Sequence, residues 1–457
     1  MINETRDSEN DTETLISLVE SLLTRNVAQQ SDILEALVKC EGDVNGAAAF
    51  LNQKPESEPP KRKRENKLDS WLKPPSKRAR NKVREKPPVS SGSSSSTVPG
   101  SVPSGSKQPV DLSLLLRQPS PSKARKTVPK LPPLTLSTPA LVAKHTPCTL
   151  HYSVLPQELA CQLFYAMLDL SKEWKRNKWW LFDRVVESPH RTSFFARRTD
   201  GLDSDESWQD AAQFWYNGRR TVPPDTFPEP MEKACKIIEE IVNREISKRK
   251  RYPLEYGESS STPSVWRANV AASNCYEGSK ESVGWHSDQV TYLGPYPTIA
   301  SLSLGTTRSF SLREVIPTQE LDQRNARTLN IPLPHNSLTI MHASCQETFK
   351  HSIPPQNSID KFRPPLPRPS KTETEPSISR INITFRFYRP DFRPPSIPKC
   401  HCGIPTILRP DMKGRVGDAT YKYWWTCYAG AQNDGKGCNF WKVMDMSAEG
   451  RGPCIGG

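Results

Sequence analysis

Arg380-Ile381-Asn382-Ile383-Thr384-Phe385-Arg386 alternates polar and apolar residues along its whole length. In an extended chain, residues two apart share a face. Arg380, Asn382, Thr384 and Arg386 therefore lie on one side, and Ile381, Ile383 and Phe385 on the other. The apolar side belongs against a core, which makes the segment a central strand. Its polar side then carries two arginines into a sheltered place. An unpaired buried cation is costly, so this strand calls for a dianionic partner. Guanidinium groups meet carboxylates through paired hydrogen bonds, and a small dicarboxylate would supply one for each arginine.

Working outward, the same alternation recurs at Ile299 to Leu304, Phe310 to Arg313 and Leu338 to Met341. Earlier in the chain the period is helical. Leu159, Leu163, Ala166, Met167 and Leu170 share one face of a helix starting near Pro156. Ala234, Ile237, Ile238, Ile241 and Val242 do the same in a helix starting near Pro230. Helices followed by short strands predict an α+β domain with an antiparallel sheet or barrel, over residues 134–395.

The remainder of the 457 residues has other compositions. Residues 13–52 predict a small all-α domain of three short helices, with Asp32 and Glu35 forming a capping box and Asp43 capping the last helix. Residues 54–133 are rich in Pro, Ser and Lys and predict a disordered linker. That linker holds Lys61-Arg62-Lys63-Arg64 and Lys77-Arg78-Ala79-Arg80, two basic clusters suited to nuclear import or to a phosphate-binding arm. The net charge of +13 favours a polyanionic partner. No apolar run reaches about 18 residues, so no membrane span is expected. The acidic start, Met1 to Asp11, is unlike a secretory signal.

Two groups of residues have metal chemistry. In His286-Ser287-Asp288 an imidazole and a carboxylate point the same way if the segment is extended. A second histidine would complete the 2-His-1-carboxylate arrangement suited to non-haem Fe(II). His351, in Lys350-His351-Ser352-Ile353-Pro354 after a predicted strand, is the preferred third ligand, with His335 and His342 as rivals. Near the C-terminus Cys400, Cys402, Cys427 and Cys438 form a set sufficient for a tetrahedral zinc site, with His401 competing with Cys402. Metal binding would stabilise a unit of this size, over 396–445, whose own core is small.

The ordered set resembles a known family. Asn274-Cys275-Tyr276, Gly284-Trp285-His286-Ser287-Asp288, Leu293-Gly294-Pro295, Pro297 to Gly305, Phe310-Ser311-Leu312-Arg313 and Arg380 to Arg386 are similar to motifs of the AlkB-type Fe(II)/2-oxoglutarate dioxygenases that repair nucleic acid. The resemblance implies a double-stranded β-helix, or jelly-roll, with iron held by His286, Asp288 and His351. It implies that 2-oxoglutarate is bound by Arg380 with Tyr276 and Asn274 at one end and by Arg386 near the metal, with Asn382 adding a polar contact. The implied reaction couples decarboxylation of 2-oxoglutarate to succinate with hydroxylation of an N-methyl carbon, which leaves as formaldehyde. The implied substrate is alkylated DNA or RNA, presented as a flipped or single-stranded base.

Substrate contacts are expected from Tyr216, in Phe214-Trp215-Tyr216, from Arg191 and from Arg313, with Trp179 and Trp180 as lid or wedge residues. The cysteine set resembles the GRF zinc finger, which implies Cys402 rather than His401 as ligand. Lys413, Arg415 and Lys422 with Tyr423 and Trp425 are the expected single-strand-binding surface. Gly42 to Leu51 resembles the end of CUE and UBA domains and implies ubiquitin as a partner. Two other readings share parts of this pattern: a 2-oxoglutarate-dependent protein hydroxylase, and a non-enzymatic adaptor for ubiquitin and nucleic acid. The nucleus is the expected location.

Overall fold

The chain was analysed as a computed structural model. It describes residues 131–181, 184–198, 222–257, 265–369, 371–415 and 422–455, with Pro129, the helix Val44–Gln53, and Val19, Ile33, Ala36 and Cys40. Most of the expected linker, both basic clusters and Tyr216 lie outside the described residues. Near the N-terminus Val19, Ile33 and Ala36 are helical and fully buried, as is Ala47 of the helix Val44–Gln53.

Among the described residues thirteen strands precede the cysteine-rich segment: β1 (Leu134–Thr135), β2 (Cys148–Tyr152), β3 (Lys175–Leu181), β4 (Arg184–Ala196), β5 (Asp225–Thr226), β6 (Val270–Glu277), β7 (Val283–His286), β8 (Ile299–Gly305), β9 (Arg308–Glu314), β10 (Thr328–Leu333), β11 (Ser337–Met341), β12 (Phe349–Ile353) and β13 (Ser379–Arg386). The larger sheet runs β2-β11-β8-β13-β6-β4-β3, with β5 on β4, and the smaller runs β1-β10-β9-β12-β7. Pairing is antiparallel except for β1 with β10 and β4 with β5. The two sheets share a buried cluster. Val270, Ala272, Tyr276, Ile299 and Met341 come from the larger, and Phe310, Leu312, Ile331 and Ile353 from the smaller. This is a sheet-rich fold consistent with a jelly-roll core.

The alternation of β13 is realised in full. Ile381, Ile383 and Phe385 turn to a second cluster, built with the helices Gln157–Leu170 and Glu229–Ile246. Burying each such side chain contributes about 1.5–3 kcal/mol. The polar side of β13 turns instead into the space between the sheets. Gly305, φ +93°, ends β8 opposite Arg380, where an added Cβ would stand 2.2 Å from the Ser379 carbonyl oxygen. Only glycine allows that approach.

Two features differ from the expectation. β3 and β4 lie between the two helices in sequence, so strands do not simply follow helices. Trp179 and Trp180 belong to β3, at the edge of the larger sheet. The C-terminal unit also runs past 445. β14 (Ile407–Pro410), β15 (Tyr423–Thr426) and β16 (Trp441–Val443) make a separate antiparallel sheet. The chain then returns to the barrel, where Ile455 N–H donates to the Glu255 carbonyl at 2.9 Å. Among the described residues no helix is long and apolar enough to cross a membrane.

Candidate active site

β7 ends at His286, and β12 pairs with it so that His351 stands directly across from His286. Asp288 lies two residues beyond the strand. The ligand atoms of His286, Asp288 and His351 all lie within 4.8 Å of one another. Asp288 Oδ1 is 3.8 Å from His286 Nε2 and 3.4 Å from His351 Nε2. His286 Nδ1 sits 2.8 Å from the Gly284 carbonyl. A carbonyl can only accept, so the proton belongs on Nδ1 and Nε2 is left for a metal.

Electrostatics prepare two of these groups, Asp288 and His286. Burial alone would raise the Asp288 carboxyl, but Arg386, His351 and His286 outweigh it and hold it well below the usual carboxylate range. Arg386 Nη2 donates to Asp288 Oδ2 at 2.7 Å, so the carboxylate stays ionised. Burial and the adjacent His351 ring push His286 down to about 4, which keeps it neutral and able to ligate. The donor set of two imidazoles and one carboxylate fits Fe(II).

The rival histidines are engaged elsewhere. His335 Nδ1 accepts from the Gly305 N–H, and its ring stacks on Phe362. His342 Nε2 is 3.1 Å from the Thr149 hydroxyl. Burial pushes both down to about 4.

Arg380 occupies the same interior, only 1% exposed. Its Nη2 donates to Ser303 Oγ at 2.8 Å, while Nε and Nη1 have no hydrogen-bond partner among the described residues. Burial pushes this guanidinium down to about 10. Donors aimed into a closed interior without an acceptor mark a place for an anion. The Tyr276 ring lies 5.3 Å from the guanidinium carbon. Asn382 Nδ2 donates to Ser301 Oγ and the Leu302 carbonyl, and Asn274 Oδ1 accepts from the Thr192 hydroxyl.

Two residues here escaped the sequence reading. Arg308 is fully buried and donates to the carbonyls of Gly278, Glu281 and Pro354, tying the β6–β7 turn to the end of β12 beside Tyr276. His190 stacks on Tyr276 at 4.9 Å between ring centroids. Its neighbour Arg191, the expected phosphate contact, is not brought to the site. Arg191 donates to the Ser171 carbonyl and Glu277, on the helix side of the sheet. Arg313, by contrast, is exposed on β9, and its guanidinium carbon stands 4.3 Å from the ring centroid of Trp285, next to His286.

In the C-terminal unit the sulphurs of Cys400, Cys402, Cys427 and Cys438 also lie within 4.8 Å of one another. Four thiolates around one zinc, with bonds of about 2.3 Å, need sulphur separations near 3.8 Å. His401 instead packs edge-on against Phe440. The expected single-strand surface is corrected here. Tyr423 and Trp425 are buried against the barrel, at 1% and 0% exposure, and Arg415 is buried in an ion pair with Glu314. The outward side carries Arg409, Trp424, Trp441 and Val443, with Trp441 60% exposed.

A jelly-roll carrying two histidines and an aspartate beside an arginine that awaits an anion defines a non-haem metal oxygenase with an acidic co-substrate. The family model described as the 2OG-Fe(II) oxygenase superfamily matches residues 148–386, just over half of the chain, and the chain belongs to that superfamily. A 126-residue stretch is 36% identical to the mouse and human proteins named alpha-ketoglutarate-dependent dioxygenase alkB homolog 3, covering 27% of this chain and 38% of each of theirs. A 135-residue stretch is 30% identical to the Arabidopsis thaliana protein named DNA oxidative demethylase ALKBH2, covering 26% of this chain and 38% of that one. The chain thus spans little more than a third of the length of these relatives. A solved structure described as "The structure of OsALKBH1" aligns with a TM-score of 0.31 and 16% identity, over 53% of this chain and 99% of that chain, a likeness too slight to bear on the fold.

Proposed function

We propose that this chain is an oxidative demethylase of N-alkylated bases in DNA or RNA, using Fe(II), 2-oxoglutarate and O2. The observation that carries the reading is the convergence of His286, Asp288, His351, Arg386 and Arg380 on one interior space. The name of the Arabidopsis thaliana relative, DNA oxidative demethylase ALKBH2, supports the nucleic-acid substrate, as does the net charge of +13.

His286, Asp288 and His351 hold the metal. Bound Fe(II) supplies oxygen activation coupled to decarboxylation of the keto acid. Arg380 would hold the far carboxylate of 2-oxoglutarate, helped by Tyr276 and Asn274. Arg386 keeps Asp288 charged and would lie near the metal-side carboxylate, and Asn382 would add a polar contact. The protein's share is to orient the co-substrate and exclude water. Arg313, exposed and with its guanidinium carbon 4.3 Å from the ring centroid of Trp285 beside His286, is proposed to meet the nucleic acid. Tyr216 and its aromatic neighbours are proposed to stack the flipped base.

The four cysteines are proposed to hold Zn(II). The outward Arg409, Trp424 and Trp441 offer a basic, aromatic strip for single strands, in place of the inward Tyr423 and Trp425. The N-terminal unit is proposed to bind ubiquitin, supported by Phe50, 40% exposed near the end of the helix Val44–Gln53. The basic clusters are proposed as a nuclear import signal. Anaerobic reconstitution with Fe(II), then product analysis on methylated DNA and RNA oligonucleotides, tests the reading. Turnover of 2-oxoglutarate with no loss of methyl groups would favour a protein hydroxylase instead.

A further inference from the structure

The buried face of the C-terminal sheet touches the two segments that present iron ligands. The loop after Asp288 is held twice. Leu408 N–H, on β14, donates to Thr291 Oγ1 at 3.1 Å, and the Tyr296 N–H meets the Tyr423 hydroxyl at 3.3 Å. Tyr423, on β15, also donates to Glu347 Oε1 at 2.7 Å. Glu347 sits in the one-turn helix Cys345–Thr348, which leads straight into β12 and His351. Its neighbour Gln346 accepts from the Asp288 N–H at 2.7 Å. Glu347 is 0% exposed, and its Oε2 has no partner among the described residues. The Tyr423 hydroxyl and the Tyr296 N–H, at 2.9 Å, are the bonds that satisfy this carboxyl. Leu408, Tyr423 and Trp425 share one buried cluster with Tyr292, Leu293, Tyr296 and Phe392 of the barrel.

The cysteines stand at the ends of the same strands. Cys427 directly follows β15, and Cys400 and Cys402 precede β14. A metal held by the four sulphurs would fix β15 four residues from Tyr423. Losing it would free the strand that satisfies Glu347 and flanks the Asp288 loop.

We infer that the cysteine module braces the iron site, so that metal in the cysteine cluster and metal in the barrel bind with positive coupling. Tyr423, acting through Glu347 and the adjoining Gln346, and Thr291, acting through the Asp288 loop, are the positioning residues. The inference rests on the two metal assignments proposed above. Coupling between sites is reciprocal and is commonly worth about 5- to 150-fold in affinity.

The test uses the full zinc-loaded chain and Mn(II), followed by the electron paramagnetic resonance signal of the free ion. Mn(II) prefers oxygen and imidazole ligands over thiolates, so it reports on the barrel site alone. Tyr423→Phe removes two cross-module hydrogen bonds and Thr291→Val one, and both keep the side-chain shape. Each should weaken Mn(II) binding about fivefold or more, as should Cys427→Ser. Val443→Ala, on the outward side, should leave Mn(II) affinity at the wild-type value. A merely structural contact would lower the melting temperature without moving metal affinity. Wild-type binding with unaltered affinity in Tyr423→Phe and Thr291→Val would overturn the brace and leave the metal assignment standing. No Mn(II) binding by the wild type would overturn both. If Tyr423→Phe does not fold, Thr291→Val carries the same two outcomes.

Discussion

Replacing Arg380 with Met should have effects of opposite sign with and without co-substrate. The wild-type guanidinium is buried, with no hydrogen-bond partner for Nε and Nη1 among the described residues. Its folded pKa of about 10 lies below its ordinary value of 12.5. For a base, a depressed folded pKa means that the charged form costs stability, and the cost is relieved only as pH rises past the folded pKa. The shift corresponds to something on the order of 3 kcal/mol. Met fills similar space with no charge, so the variant without 2-oxoglutarate should melt no lower than the wild type. With 2-oxoglutarate the order reverses. A buried charge-assisted pair lost on one side costs about 2–5 kcal/mol, or roughly thirtyfold to several thousandfold in Kd. The assay is thermal melting with Mn(II) present, across a 2-oxoglutarate series. At a hundred times Kd the wild type should gain about 2.7 kcal/mol, and Arg380→Met should gain at most about 0.9 kcal/mol at that concentration. Equal gains in the two proteins would refute the reasoning and remove Arg380 from the co-substrate site.

Other outcomes follow from the same geometry. Glu347 is raised to about 7 by burial, against the opposing pull of Tyr423 and the Tyr296 N–H, with Glu255 adding repulsion. A raised carboxyl favours the protonated folded state, so stability should fall as pH climbs from its ordinary 4.5 through 7 and level off above; Glu347→Gln should flatten that part of a pH–melting curve by about 3 kcal/mol. Trp424→Ala and Trp441→Ala should each weaken single-strand binding by about 1–3 kcal/mol, while Arg409→Ala should reduce its salt dependence, as fluorescence anisotropy at two salt concentrations would show. His342→Gln should leave product formation intact while His351→Ala abolishes it in a succinate assay, and loss of turnover in both would reopen the choice of third ligand.

The parts legible in the sequence are those where local period and chemistry agree. β13 declared itself because strict alternation set Arg380 and Arg386 against Ile381, Ile383 and Phe385, and both sides are buried for different reasons. The helices Gln157–Leu170 and Glu229–Ile246 follow their apolar stripes and their proline starts. β3 was not legible. Lys175-Arg176-Asn177-Lys178 has no apolar face to give it away, because the strand sits at the sheet edge. In β15 the alternation separates Tyr423 and Trp425 from Trp424, but parity says only which residues share a side. The inward side was decided by the barrel, which no pattern within 396–445 describes. Arg308 and His190 were invisible for a like reason. Their partners are backbone carbonyls and a ring brought together by the turns around β6, β7 and β12. Arg308 at the start of an alternating strand was the available signal.

The central claim is chemical and is tested most directly by one stoichiometry. The full chain, reconstituted anaerobically with Fe(II) and given 2-oxoglutarate, O2 and an oligonucleotide carrying a methylated base, should release formaldehyde and succinate in equal amounts. The base should be restored, and Asp288→Ala should yield neither product. Succinate formed without formaldehyde or base repair, on both DNA and RNA substrates, would contradict the account.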